Sequence, residues 1–533
     1  MRPAVAKEGG NRLLGAILPI LAGCAALLCT VQYAFGGPAT APSASASPAT
    51  APALAARPPG TVASVPSAGA PAPTLAAEAS GALREPQAVL FDPFLSELEE
   101  RTFRYFWDTA NSKNGLIPDR YPTPSFASIA AVGFGLTAYP IGVERHYITR
   151  AEARERVLVT LRFFLRAPNE HGFYYHFLDM KTGARANDSE VSTVDTALLL
   201  AGMLFCQSYF DTQNPHEVQI RKLVDEIYRR VDWTWAQPRP PVVALAWTPE
   251  NGFSGIDWQG YNEAMLVYLL ALGSPTHPIS PQAWTMWTST YDQHWGTLYN
   301  QTYLSFGPAF GHQYSHVWID FRGIRDDYMR KHGLDYFENS RRATYTQRRY
   351  AIANPRHWQA YGKNIWGISA SDGPGASEPY EGRETDFLHY AARGVGVGRI
   401  VDDGTIAPTA AISSLPFAPE IVLPATLEMY HRFGSAIYSS YGFLDAFNAS
   451  FRGPSDSFTA APAQGPSSPA PAATQDYKGW VDPDYVGIDE GPIVAMIENY
   501  RSEFVWRVMR SDPYIRQGLE RAGFSGGWLE TAQ

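Results

Sequence analysis

Two kinds of helical pattern run through this chain of 533 residues, and no other feature restricts its fold as much. Segments such as TRAEARERVLVTLRFFL set charged and apolar residues at the 3.6-residue period, so one face seeks a core and the other water. EAMLVYLLAL and VDTALLLAGMLF are apolar nearly all round and must be enclosed on every side. FLSELEERTFRYFWDTA, HEVQIRKLVDEIYRRV, one long run from Gly323 to Asn354, and GPIVAMIENYRSEFVWRVMR add further helices, while strand alternation is scarce. About twelve helices of two such kinds in roughly 440 residues suit an all-α, (α/α)6 toroid forming a single domain, with inner helices wrapped by outer amphipathic ones. Each inner helix would then present its N-terminus near one mouth of the toroid.

The same patterns set the domain limits. Arg2, Lys7 and Arg12 precede the apolar run LLGAILPILAGCAALLCTV, the charged-then-apolar order of an export signal. Residues 1–36 are therefore expected to be a signal peptide or an N-terminal anchor. Leu21-Ala22-Gly23-Cys24 looks like a lipobox, and Ala34-Phe35-Gly36 offers an ordinary cleavage site. The apolar run continues to Phe35, long enough to stay as a membrane anchor, which takes about 20 residues. Periplasmic or cell-envelope localisation follows. Residues 37–87, mostly Ala, Pro, Ser and Gly, are too poor in large apolar side chains to bury a core and read as a linker. Residues 88–533 form the folded domain, interrupted by a low-complexity insertion at 453–475. Cys206 is the one cysteine beyond the signal, so the mature chain has no internal disulfide. A formal net charge of −9 argues against a nucleic-acid partner, which calls for a basic face.

Four segments place carboxylates among aromatics: GFYYHFLDMKTGARANDSEVSTVDTALLLAG from Gly172, GYNEAMLVYLLALG from Gly260, GPAFGHQYSHVWIDFRGIRDDY from Gly307 and YGFLDAFN from Tyr441. This company suits sugar chemistry, in which one carboxyl group is held protonated, another ionised, and flat aromatic faces cover pyranose rings. Glu263 follows Asn262, so it reads either as a first-turn residue complementing the helix dipole or as a general acid that burial beside Trp258 and Tyr261 keeps protonated. Ser192-x-x-Asp195 matches a capping box, and Asp195 is equally a sugar contact. Glu190 lacks a basic partner at helical spacing and reads as a cleft carboxylate or a solvated loop residue. Asp445 is either catalytic or an ordinary turn aspartate. Asp489 and Glu490 precede Gly491-Pro492 and suit a helix start.

His312 and His316 have a zinc-compatible spacing, but the intervening residues are not those of a metalloprotease, so contact with sugar hydroxyls is the better reading, alongside Tyr314, Trp318 and Trp366. Asp320, Arg322, Arg325, Asp326 and Asp327 suggest ion pairs, with Arg322 also able to reach a substrate. Nothing in the chain requires a metal or organic cofactor or an obligate protein partner.

Together these segments resemble the bacterial glucoamylase-like glycoside hydrolases of family 144, which act on β-1,2-glucan. The resemblance runs from about Phe91 to Trp528 and includes the blocks GHQYSHVWIDFRGIRDDY, DYFENSRRAT, ASDGP at Ala370, DDGTIAPTAA at Asp402 and GIDEGPI at Gly487. It implies an (α/α)6 barrel, inversion at the anomeric carbon and a polysaccharide substrate. It further implies Glu263 as general acid, Asp445 as general base, and Glu190 as another cleft carboxylate needed for activity. In this clan the base can act on water through a substrate hydroxyl. The expected activity is endo-cleavage of β-1,2-glucan. An exo-acting sophorose-releasing enzyme, a transglycosylase, a polysaccharide lyase and a non-catalytic glucan-binding protein are the alternatives.

Overall fold

The computed structural model describes residues 85–453 and 477–530. The expected signal or anchor, nearly all of the linker and, after Gly453, the insertion lie outside them. Fifteen α-helices occur among the described residues: α1 Glu85–Thr109, α2 Ile129–Glu144, α3 Arg150–Phe164, α4 Thr193–Tyr209, α5 Pro215–Arg229, α6 Met265–Gly273, α7 Gln282–Thr288, α8 Tyr314–Trp318, α9 Asp327–His332, α10 Tyr336–Ala353, α11 Pro408–Ile412, α12 Pro419–Phe433, α13 Gly487–Ser502, α14 Phe504–Met509 and α15 Pro513–Arg521. No helix among the described residues is long and apolar enough to cross a membrane.

The two helical patterns become two environments. Every residue of α6, α8 and α11 is buried, as is nearly every residue of α2, α4 and α13. In α3 and α5 only one face is buried. The buried helices touch in succession: α13 packs on α2, α2 on α4 and α4 on α6, while α8 and α11 both pack on α13. Hydrogen bonds complete the series, from Ser315 Oγ to Glu263 O at 3.4 Å and from Gln313 Nε2 to Ala410 O at 2.9 Å. Outside them, α1 covers α2 and α13, α5 covers α4, α12 covers α11 and α15 covers α6.

Helix α2 adds to the expected helices, although it contains Gly133, Gly135, Gly142 and Pro140, residues of low helix propensity. Packing requires two of its close approaches. A Cβ at Gly133 would lie 2.4 Å from Leu198 O, and one at Gly202 of α4 would lie 2.0 Å from Gly133 O. The two helices therefore meet backbone to backbone. Their starts are capped alike: Ser128 Oγ accepts from Ala131 N–H at 3.3 Å and Ser192 Oγ from Asp195 N–H at 3.2 Å.

Two expectations need correction. The run from Gly323 to Asn354 is not one helix but α9 and α10, divided at Gly333, whose φ of 68° only glycine adopts without strain. The domain also contains β-structure. Trp295–Leu298 pairs with Gln301–Leu304, Ala376–Tyr380 with Arg383–Phe387, and Gly394–Gly396 with Arg399–Val401, all antiparallel. The first hairpin turns at Tyr299 and Asn300, both at positive φ, as its right-handed twist demands. Many of the remaining strands are two-residue pairings that lie just ahead of the buried helices, such as Val191–Ser192 before α4 and Tyr485–Val486 before α13.

Candidate active site

The N-terminal ends of the buried helices carry two groups of acids. The first surrounds Glu263. Asn262 Oδ1 accepts from Ala264 N–H at 2.9 Å and closes a turn, so α6 begins at Met265 and Glu263 stands just ahead of it rather than in its first turn. Its Oε2 is enclosed and has no protein hydrogen-bond partner. Burial pushes the Glu263 carboxyl up to about 7, and the charge of Asp195 adds to this effect. The carboxyl therefore holds its proton up to about pH 7.

Beside it, Asp195 faces His176, with His176 Nε2 3.6 Å from Asp195 Oδ1, and His176 Nδ1 lies 2.9 Å from Glu190 Oε1. Burial works against the imidazolium, but Asp195 and Glu190 outweigh it and raise His176 to about 9. Burial likewise works against the Glu190 carboxylate, and His176 more than reverses that, leaving Glu190 lowered. His176 is thus held as a cation by Asp195 and Glu190.

The second group surrounds Asp445, buried on the loop after Gly442–Phe443. Its backbone N–H donates to Asp484 O at 3.0 Å, and its Oδ2 accepts from Asp372 N–H at 2.9 Å. Asp372 in turn takes Arg120 at 2.5 Å, and Arg120 also reaches Asp119 at 3.4 Å. Burial first, then Asp372, raises Asp445 to about 7. Asp482, Asp489 and Glu490 are raised well above the usual carboxylate range, in each case chiefly by burial and then by neighbouring acids. Oxygens of Asp372, Asp445 and Asp482 lie within 4.8 Å of one another, the cluster among the described residues with the spacing to hold a cation. Tyr314 of α8 links the two groups, since its hydroxyl, raised mainly by burial, feels the charges of both Glu263 and Asp445.

Other expected contacts lie elsewhere. Trp258, Tyr261, His312, His316, Trp318 and Trp366 are all less than 5% exposed. Trp258 Nε1 donates to Thr193 Oγ1 and Trp318 Nε1 to Thr137 Oγ1, both at 2.9 Å. The Tyr261 ring stacks on Tyr336, and Trp366 Nε1 is enclosed without a partner. Burial lowers both histidines to about 3, so they are neutral. His312 Nε2 lies 3.2 Å from Phe306 O and His316 Nε2 3.1 Å from Ser340 Oγ. Arg322 is at the C-terminal ends of α8 and α13, tied to Asp320 and Glu503 at 2.7 Å each. Helix α13 has 16 residues, and at about 1.5 Å per residue this sets Arg322 far from the acids.

Several groups at the site carried no individual signal in the sequence: His176, Asp119, Arg120, Asp372, Asp482 and Tyr390. His176 stands inside the first aromatic segment and Asp372 inside the ASDGP block, while Asp482-x-Asp484 between Trp480 and Tyr485 repeats the carboxylate-among-aromatics pattern. Those were the available clues.

Fold and site together define a helical protein with two groups of carboxylic acids at or near the N-terminal ends of its buried helices. The chain belongs to the glucoamylase-like family. Residues 255–513 match the family model Glycoamylase, described as "Putative glucoamylase". It is 31% identical to a "putative glucoamylase" of Bacteroides uniformis whose crystal structure superposes with a TM-score of 0.70, covering 83% of this chain and 99% of that one. An endo-β-1,2-glucanase from Chitinophaga pinensis, solved with sophorotriose and glucose, is 28% identical, with a TM-score of 0.70, covering 82% of this chain and 99% of that one. A curated relative, the exo β-1,2-glucooligosaccharide sophorohydrolase (non-reducing end) of Parabacteroides distasonis, is 29% identical over 466 residues, or 81% of this chain. The match spans only 58% of that relative's length.

Proposed function

We propose that the protein is an exported glycoside hydrolase that cleaves β-1,2-glucosidic bonds of β-1,2-glucan with inversion, on an (α/α)6 toroid. The observation that carries this reading is the pair Glu263 and Asp445, two buried carboxyls both raised to about 7 but with different partners. Glu263 Oε2 is enclosed without a partner, whereas Asp445 accepts a backbone N–H and has Arg120 in range, both of which draw it back toward its ionised form. Glu263 donates its proton to the leaving glycosidic oxygen as the C–O bond breaks. Asp445 takes a proton from water, directly or through a substrate hydroxyl, as the water oxygen attacks the anomeric carbon. Asp195 and Glu190 hold His176 in its charged form in the wall beside Glu263.

The alternation of six enclosed helices with outer helices supports the toroid, and the two named β-1,2-glucan hydrolases among the relatives support the substrate. Endo-action is the proposed mode, in keeping with the Chitinophaga pinensis relative, and exo-release of sophorose, as named for the Parabacteroides distasonis relative, is the competing one. The apolar N-terminal run supports export to the periplasm or cell envelope. Incubation with linear β-1,2-glucan, and in parallel with β-1,3-, β-1,4- and α-1,4-glucans, tests the reading. A ladder of β-1,2-oligosaccharides from the first alone is the expected result. Sophorose alone would replace endo- with exo-action, and no product from β-1,2-glucan would overturn the substrate assignment.

A further inference from the structure

The guanidinium of Arg393 is fully buried, at 0% exposure, and no step of the proposed reaction uses it. Such a cation is costly to enclose unless its N–H groups find acceptors. Asp403 takes Nε at 2.7 Å and Nη2 at 2.9 Å, two parallel bonds. Asp403 is held in turn by the N–H groups of Leu388 at 2.8 Å and Thr405 at 3.1 Å. The other donors go to backbone carbonyls on two separate segments. Nη2 reaches Leu388 O at 2.9 Å and His389 O at 3.0 Å, and Nη1 reaches Ser371 O at 2.8 Å. Ser371 C=O and Asp372 N–H belong to one planar peptide, so they turn together. At its far end, Asp372 N–H donates to Asp445 Oδ2 at 2.9 Å. The ladder beside this peptide is short, two residue pairs between Ala370–Ser371 and Ala391–Ala392. Gly373 comes next, and a Cβ there would lie 2.1 Å from Arg393 Nη2 and 2.3 Å from Leu388 O. The glycine of the ASDGP block is what lets Arg393 approach so closely.

We propose that Arg393 is a positioning residue for the base: by holding Ser371 O it turns the Ser371–Asp372 peptide so that the Asp372 N–H is aimed at Asp445 Oδ2. The aim fixes which oxygen of Asp445 is occupied. Oδ1 receives no donor among the described residues and is the oxygen left for the proton of the attacking water. The guanidinium also polarises the carbonyl it binds, which makes the N–H at the other end of the same peptide a stronger donor. Asp403 acts one step further back, since its two parallel bonds set the plane of the guanidinium. Neither side chain touches the substrate. A lysine at 393 would keep the charge but not the planar fork, and a single nitrogen does not reproduce bonds to Asp403 on one side and Ser371 O on the other.

The role of Asp445 as base rests on the proposed function, so the test has one arm with glucan and one without. With β-1,2-glucan, Arg393→Lys should lower kcat at least about tenfold while KM changes less than about twofold, under conditions where urea unfolding shows the variant to be folded. A wild-type kcat in the folded variant, at whatever urea midpoint and whatever KM, overturns the proposal, because an arginine that only stabilises the domain gives that result. If the Lys variant does not fold, Arg393→Met combined with Asp403→Asn removes both charges together and is judged by the same criteria. Without glucan, hydrogen–deuterium exchange is followed at single amides. In the wild type the Asp372 amide should exchange at least about a hundredfold more slowly than in an unstructured peptide. Free exchange there overturns the proposal whether or not either variant folds. In the folded variant the Asp372 amide should exchange at least about tenfold faster than in the wild type, with the amides of α4 and α6 unchanged. An Asp372 rate that stays as in the wild type, or rises only together with those of α4 and α6, overturns the proposal even if β-1,2-glucan is not the substrate.

Discussion

Replacing Glu263 by Gln separates the state of the acid from its use in catalysis. Enclosure moves its carboxyl from an ordinary 4.5 to about 7. A tenfold change in proton affinity is worth about 1.4 kcal/mol, so holding the ionised form in the folded protein costs about 3 kcal/mol, somewhat less because the side chain is half-buried and solvent screens one oxygen. The sign follows from linkage. A carboxyl raised in the folded state contributes its full stability below about 4.5 and loses it progressively as the pH rises through 7. Gln resembles the protonated acid in size and hydrogen bonding but never ionises. Glu263→Gln should therefore gain less than about 1 kcal/mol over wild type at pH 5 and about 2–3 kcal/mol at pH 8, read from urea unfolding at constant m-value. The same variant should release no product from β-1,2-glucan. A stability gain equal at both pH values, or a loss at pH 8, would refute the argument that enclosure keeps this group protonated, and retained turnover would remove Glu263 from the acid role.

Three further outcomes are expected. His176 is raised from 6.5 to about 9, so its contribution is complete below about pH 6.5 and fades through pH 9. His176→Ala should cost on the order of 2 kcal/mol at pH 6 and clearly less at pH 9.5 by the same unfolding assay. Gly202→Ala drives a methyl group to 2.0 Å from Gly133 O, a backbone atom that cannot step aside, and thermal unfolding should show a loss of about 1–3 kcal/mol. Arg322→Met should remove a partly exposed ion-pair network worth about 1 kcal/mol and lower Tm by a few degrees, and the distance of Arg322 from the acids predicts no rise in KM.

What the sequence revealed was local. EAMLVYLLAL and VDTALLLAGMLF are apolar all round, and both are enclosed helices, because burial on every face is written into each short stretch. IAAVGFGLTAYPIGVE is as deeply buried, yet its glycines mark a close approach to α4 that a single strand of text does not show. The division at Gly333 and the turn at Tyr299-Asn300 each depend on one or two left-handed residues inside otherwise continuous patterns. At the site, Glu263, Asp445 and Glu190 drew attention through their aromatic company. The partners that set their charge did not, since Arg120 and Asp372 stand 252 positions apart and His176 reaches Glu190 across two loops. The aromatic residues Trp318 and Trp258 look like sugar platforms in sequence, which does not show that their N–H groups are taken up by threonines within the core.

The crowding of acids at one end of the buried helices also changes how the folded protein behaves in an electric field. A formal charge of −9 at pH 7 counts every carboxylate as ionised and every histidine as neutral. Asp482, Asp489, Glu490 and, midway along α1, Glu99 are raised well above the usual carboxylate range, and His176 carries a positive charge. Native electrophoresis should therefore find a molecule less negative than its composition gives, with an isoelectric point above the 5.8 of the sequence. Unfolding should restore the missing charge.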